Sequence, residues 1–401
     1  MPRLFAAFVL CVGVANPVAV DAAQVTVPAS HEEEIADAQA EKARALRPYR
    51  APWLERLVQE IDEHLNDRDL RWHPFYGHAY PGAGLTLGVG YLFRPGDYET
   101  LDLQASRSMN RSTRAEVVFR APHLARRRLS MTTVGGWAEG LEQTFYGVPS
   151  RHSDVGERTF FDFRRSYGSL QVETRARRAM PVFGAGVGVM RYEHRVDPDS
   201  AFARRFSAAT LPGFGASVTY AQAHASAGFD WRPERGYARR GGALGVTARH
   251  AVDTAGDFTF SQIDYDVVQH VPLLRDVWVV SLHGRAETTF APYKHEVPFF
   301  MLPSLGNGTT LRGYPNQRFR DRNSMLLSAE WRLIVNAVVD AAVFYDAGKV
   351  TARPAQFSLR HLASDYGVGL RFHTSATTPI RIDVARSREG LRVMFGAVAA
   401  F

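Results

Sequence analysis

From about residue 71 to the last residue, apolar and polar positions alternate with a period of two. Leu85, Leu87, Val89, Tyr91 and Phe93 interleave with Thr86, Gly88, Gly90 and Leu92. Met325, Leu327, Ala329, Trp331 and Leu333 interleave with Ser324, Leu326, Ser328, Glu330 and Arg332. Tyr366, Val368, Leu370 and Phe372 do the same with Gly367, Gly369, Arg371 and His373, and Ile380, Ile382 and Val384 with Arg381, Asp383 and Ala385. Successive side chains of a strand point to opposite faces, so this period predicts strands with one greasy face and one face of Gly, Ser, Arg, Asp and Glu. Sixteen segments follow the pattern, near 71–77, 83–94, 98–109, 112–121, 128–139, 160–177, 182–196, 214–231, 241–252, 257–271, 275–290, 323–335, 338–347, 363–373, 379–387 and 390–401. Tight connections (94–97, 178–181, 272–274, 336–337) alternate with longer ones (140–159, 197–213, 291–322, 348–362). The 232–240 turn is longer than its tight counterparts.

A soluble sandwich also alternates. Long segments, an even strand count and short turns at the end that holds both termini fit an all-β transmembrane barrel better. In such a barrel the apolar face meets lipid and the polar face lines a wet lumen. The expected fold is therefore a barrel of 16 antiparallel strands over 71–401, interrupted by one long loop and preceded by a short helical N-terminal extension.

Residues 23–70 carry a different period. Ser30 and Glu33 form a capping-box pattern that opens a charged helix to about Leu46, and Pro48 and Pro52 break it. Leu54, Leu57, Val58, Ile61 and Leu65 then fall on one helical face, opposite Glu55, Arg56, Glu60, Asp62 and Glu63. This second helix is an ordinary packed helix, a plug or strap in or under the barrel, or a membrane-surface helix. Residues 3–15, RLFAAFVLCVGVA, read as a signal peptide spanning 1–22, cleaved near Ala22 or Ala23. Export to the bacterial outer membrane follows. The chain's one cysteine, Cys11, lies in that segment, so the mature protein is not a disulfide scaffold. Beyond it no apolar run approaches the ~20 residues of a membrane helix.

The net charge of +7 is carried mainly by arginine, with Lys42, Lys294 and Lys349 the three lysines. The arginines are scattered along alternating segments without an aromatic-interleaved basic patch, so no nucleic-acid partner is expected. No HExxH, GxSxG, phosphate loop or cysteine cluster occurs. His73, His78, His123, His250, His283 and His361 stand alone along the chain, and Ser281 with His283 is the nearest approach to a nucleophile and base. No enzyme activity, metal or other cofactor is expected. Trp137, Trp231, Trp278 and Trp331 are read as membrane-interface residues.

One stretch interrupts the alternation, Pro303 to Arg322, PSLGNGTTLRGYPNQRFRDR. At its tip stand Leu311, Arg312, Gly313 and Tyr314, with Pro315 behind them. Gly313 permits a positive φ, and Tyr314 before proline favours an extended backbone. The turn presents one guanidinium, which calls for a carboxylate. Glu330 and Asp346 both fall on the lumen face by parity.

In order and spacing, these residues resemble the BamA/TamA-like superfamily of outer-membrane surface-antigen barrels, of the outer-membrane-protein-85 type. The resemblance rests on Leu311-Arg312-Gly313-Tyr314 with Arg318-Phe319-Arg320-Asp321, then Glu330 in SAEWR. It continues through Phe344-Tyr345-Asp346-Ala347-Gly348, Gly367-Val368-Gly369-Leu370-Arg371 and Pro379-Ile380-Arg381-Ile382-Asp383. It implies that the long loop folds back into the barrel, where Arg312 meets the acidic residues of the next two strands. Such a clasp either holds the loop or sets a working conformation. The alternating last strand, with Gly396 and a final Phe401, resembles the terminal signature that barrel-assembly machinery reads. Outer-membrane lipid, that machinery, and a periplasmic partner or client polypeptide are the implied partners. Most of the family carry periplasmic receiving domains, and 23–70 is too short for one, so this looks like a barrel-only member. Translocation or membrane insertion, a small-molecule pore, and a structural or lipid-handling barrel remain open.

Overall fold

The computed structural model describes residues 31–45, 53, 56, 60, 71–77, 86–152, 156–174, 180–274, 277–374, 378 and 380–396. It divides into two compact units, Met1–Ala51 and Pro52–Phe401. In the first, His31–Ala45 forms helix α1, beginning where the capping-box pattern places it. Of the second expected helix, Trp53, Arg56 and Glu60 are helical. Its other residues, and the expected signal segment, lie outside the described residues.

The second unit is one antiparallel wall. Its strands are β1 (Trp72–Gly77), β2 (Thr86–Phe93), β3 (Thr100–Ser108), β4 (Thr113–His123), β5 (Leu129–Phe145), β6 (Thr159–Thr174), β7 (Met180–Arg195), β8 (Ser217–Asp230), β9 (Gly241–Asp253), β10 (Phe260–Leu273) and β11 (Trp278–Phe290). Two short strands, β12 (Ser304–Leu305) and β13 (Phe319–Arg320), pair with each other inside the long connection. The wall resumes with β14 (Asn323–Ile334), β15 (Val339–Thr351), β16 (Ala363–Phe372), β17 (Ile380–Ser387) and β18 (Gly390–Gly396). Sixteen strands thus form one sheet in chain order, β1 to β11 and then β14 to β18. Among the described residues β1 and β18 share no ladder, and Phe401 lies outside them.

Every segment expected from the alternation contains a strand, and two strands, β5 and β15, run well past the end that the pattern suggested. β5 continues past 139 to Phe145 through a register shift between Gly140 and Gln143, where Glu142 takes φ 55°. Such a bulge breaks the period that marks a strand. β15 continues past 347 to Thr351. There Gly348 leaves room for Leu305 of β12, whose Cδ1 lies 2.9 Å from where a Cβ would stand.

The wall is inverted relative to a soluble protein. Leu327, Trp331, Leu333, Val343, Tyr345, Tyr366, Val368, Leu370, Leu391, Val393 and Phe395 are 41–67% exposed. Glu330, Asp346, Asp365, Arg371, Arg381 and Asp383, at alternate positions on the same strands, are buried. Exposed apolar area on this scale needs lipid around it. Apart from Asp365, these carboxylates and guanidiniums are buried in pairs, which is what makes their burial tolerable.

Candidate functional site

Two structures fill the space inside the wall, and the connection 291–322 contributes to both. Its first half feeds an aromatic cluster. Phe299, fully buried, lies 5.1 Å from Phe145 and 4.9 Å from Phe161 between ring centroids. Phe202, Phe206, Leu211 and Val297 complete the group with residues from the 146–158 and 196–216 connections. These segments form a dome at the long-loop end. Arg320 is buried beneath it and donates through Nη1 to the Phe299 carbonyl oxygen at 2.8 Å. Burial pulls its guanidinium down to about 10.

The second half of the connection reaches the opposite wall. Thr144 Oγ1 donates to the Asn316 carbonyl at 2.8 Å, and Ser150 donates to Asp321 through N and Oγ at 3.1 and 2.7 Å. These contacts fix one flank to β5 and its following loop. The tip then seats on β14–β17. Arg312, 1% exposed, donates through Nε and Nη2 to Asp346 Oδ2 and Oδ1 at 2.7 and 2.9 Å, and through Nη1 to Glu330 Oε2 at 2.8 Å. Its carbon lies 3.4 Å from the centroid of the Phe344 ring. One planar fork therefore bridges two neighbouring strands, which a point charge could not do. Burial alone would lower the Arg312 pKa; the hydrogen bonds and charge of Asp346, with Glu330 and Asp383 behind it, raise it instead.

The cluster extends beyond these three residues. Arg371 of β16 donates to Glu330 Oε2 at 2.8 Å and to Asp383 Oδ1 at 2.6 Å. Arg381 Nε sits 3.1 Å from Asp383 Oδ2, and its Nη2 donates to the Gly308 carbonyl of the loop. The chain's parity put Arg371, Arg381 and Asp383 on the lumen face. It could not show that Arg371 shares Glu330 with Arg312, because that depends on the register of β14 to β16. Asp365 was not anticipated. It is the direct cross-strand neighbour of Asp346, and neither of its carboxylate oxygens has a hydrogen-bond partner. Three guanidiniums (Arg312, Arg371, Arg381) thus face four carboxylates (Glu330, Asp346, Asp365, Asp383).

Gly313 is required for a different reason from the one its sequence context suggested. It is not among the positive-φ residues; Gly306, at φ 103°, is the loop glycine that needs that freedom. At Gly313 a Cβ would stand 2.6 Å from Asp365 Cβ and 3.0 Å from Ser387 Cβ, so the backbone is pressed onto the wall. Its carbonyl accepts from Ser387 Oγ at 2.7 Å. Tyr314 is buried beside it, with its hydroxyl 3.3 Å from the Ser364 carbonyl oxygen and its ring 5.0 Å from Phe319. Gly396 pairs with Arg381 at the end of β18, and a Cβ there would come within 3.2 Å of the Arg381 guanidinium.

Several histidines that look solitary along the chain have cross-strand partners. His73 Nε2 lies 2.9 Å from Asp102, and His283 Nε2 lies 2.9 Å from Asp266. Ser281 contacts His270 Nδ1 at 2.7 Å rather than His283. Trp278 and Trp331 meet edge to face on neighbouring strands, with centroids 5.0 Å apart.

The fold of the wall is shared with solved structures. BamA from Haemophilus ducreyi lacking POTRA domains 1–3 superposes with a TM-score of 0.60 and 16% identity, over 81% of this chain and 68% of that one. CdiB from Escherichia coli gives 0.56 at 12% identity, over 81% and 61%. CdiB from Acinetobacter baumannii gives 0.50 at 11%, over 81% and 58%. The chain thus spans less than two thirds of either CdiB, and at these identities the likeness is one of fold. No curated protein matches the sequence. The Omp85 superfamily domain matches residues 96–390, and with its wall, inward loop and buried tip the chain belongs to that superfamily of outer-membrane β-barrels.

Proposed function

We propose that this barrel handles polypeptides at the outer membrane, in translocation or in membrane assembly, together with a separate periplasmic partner. The observation that carries this reading is where the tip is anchored. Arg312, Gly313 and Tyr314 hold β14–β17, the strands that lead into β18 and the first–last seam. β1 contains Pro74, which has no N–H to give to a ladder. A wall stiffened beside a weak seam suits a protein whose clients engage the seam. The reading includes no catalysis, since the Ser281–His270 contact is buried on both sides. It also includes a cleaved signal segment over 1–22.

Photocrosslinking residues placed in living cells at Trp72, Tyr76, Leu391 and Phe395 test it. Polypeptide adducts at both β1 and β18 are the expected result. Adducts to lipid alone, together with steady conductance of the purified protein in planar bilayers, would replace this reading with a passive pore.

A further inference from the structure

A second segment enters the lumen, from the short-turn end. The β8–β9 connection, 231–240, leaves the mouth between its own strands and reaches the inward side chains of β14, β15 and the turn after β16. The Tyr237 hydroxyl donates to Asp340 Oδ2 at 2.8 Å. The Tyr237 ring stacks on His373 at 3.8 Å with 11° between planes, and His373 Nε2 lies 3.1 Å from Asp340 Oδ1. Arg332 donates to the Ala238 carbonyl and lies 5.5 Å from the Tyr237 ring. Thr378 Oγ1 donates to the Gly236 carbonyl at 3.3 Å. Tyr237, Ala238, Arg332, Asp340, His373 and Thr378 are all buried. To reach β14, the segment must pass over the ends of β10 and β11.

Above this strap lies a chamber of about 250 Å³. Its walls are Ala243, Asp266, Val268, His283, Arg285 and Leu326, with Arg232 of the strap on one side and Thr309 and Thr310 of the inward loop on the other. The same strands carry both closures. Glu330, which holds the clasp, and Arg332, which holds the strap, are consecutive inward positions on β14. Arg371, at the end of β16, and His373, just beyond it, lie two residues apart and both face inward. Two residues along a strand is about 7 Å.

We infer that residues 231–240 are a strap that closes the short-turn mouth of the β9–β14 sector of the lumen, latched by Tyr237 on the Asp340–His373 pair. Anything that passes through this sector must displace Tyr237. The chemistry suits a latch. One aromatic ring and one hydroxyl carry the hold, all partners lie on one wall, and the strap makes no covalent bond. The inference holds whatever the client of the barrel is.

The test measures access to the chamber. Ala243→Cys is placed in a Cys11→Ser background, and the detergent-solubilised full chain is reacted with a charged maleimide. Tyr237→Ala is expected to raise the labelling rate about tenfold, and Tyr237→Phe, which keeps the stack and loses only the hydroxyl, about two- to threefold. Heat-dependent gel mobility reports whether each variant is a folded barrel. Rates equal to the parent in both folded variants would overturn the strap. If Tyr237→Ala gives no folded barrel, the Tyr237→Phe rate decides: an unchanged rate overturns the inference and a raised one supports it. Arg312→Ala in the same background tests the clasp separately, so loss of one closure is not mistaken for loss of the other.

Discussion

The dome and the clasp are built from one connection by opposite means. The dome half, around Phe299, packs rings from the end of β5, the start of β6 and the 196–216 connection with centroids 4.9–5.8 Å from Phe299. Such packing is non-directional and shared among many partners, so it tolerates small shifts. The clasp half places one guanidinium on two carboxylates at 2.7–2.9 Å, in a space that a single Cβ at Gly313 would overfill. It depends on geometry and on charge balance, and its parts cannot be exchanged. The dome therefore degrades gradually under mutation, and the clasp fails all at once.

Reversing a charge in the clasp strikes this contrast hardest. Asp346→Lys puts a cation against Arg312, and the yield of folded barrel in the membrane should fall most of all the variants considered. Arg312→Ala strands Asp346 and leaves Glu330 to Arg371 alone, and removing one partner of a buried ion pair costs about 3–5 kcal/mol. The temperature at which the folded form disappears in semi-native gels should drop accordingly, and planar-bilayer conductance should rise. Arg312→Lys should recover less than half of that loss, because an ammonium cannot fork across two strands. Wild-type heat stability in Asp346→Lys and Arg312→Ala would remove the distinction between the two halves.

A dome variant sharpens the comparison from the other side. Phe299→Ala should cost about 3 kcal/mol, show as faster proteolysis in 196–216, and leave the clasp's response to Arg312→Ala unchanged. A smaller effect of opposite sign is expected at Asp365. Replacing it with Asn removes a like charge beside Asp346 and an unsatisfied carboxylate, and should stabilise the seat by about 1–2 kcal/mol in the same gel assay. The smallest effect concerns pH. Burial holds the His152 imidazole below its usual range, and the Val148 N–H donates to its Nδ1 at 3.1 Å. The unfolded loop takes up a proton first as pH falls, so the dome loses stability below about pH 6.5 and keeps it above. Proteolysis of the 146–158 loop at about pH 7.5 and about pH 5.5 should show this, and His152→Gln should flatten it.

The wall was legible because its period survives without knowledge of partners. Each strand announces its own two faces, and the parity of Glu330 and Asp346 put both on the side that Arg312 reaches. Register was not legible. Asp365 beside Asp346, and Arg371 on Glu330, are relations between strands, invisible along either one. The dome was equally hidden, since Phe145 follows the bulge that breaks the period of β5, Phe202 and Phe299 sit in aperiodic connections, and the three are more than fifty residues apart. The strap carried one signal, a turn longer than its neighbours at the same end. Gly313 shows a milder failure: the residue was right and the reason was not, because a close approach leaves no mark in local sequence.

The seat of the tip spans a long stretch of chain. Glu330, Asp346, Ser364 and Ser387 follow Arg312 in sequence and come from four successive strands. The tip cannot settle until β14, β15, β16 and β17 have all been synthesised and aligned. A nascent barrel missing any of them would carry a loose arginine where the finished one carries a locked one, so the loop acts as a late checkpoint that registers completion of the C-terminal quarter of the molecule.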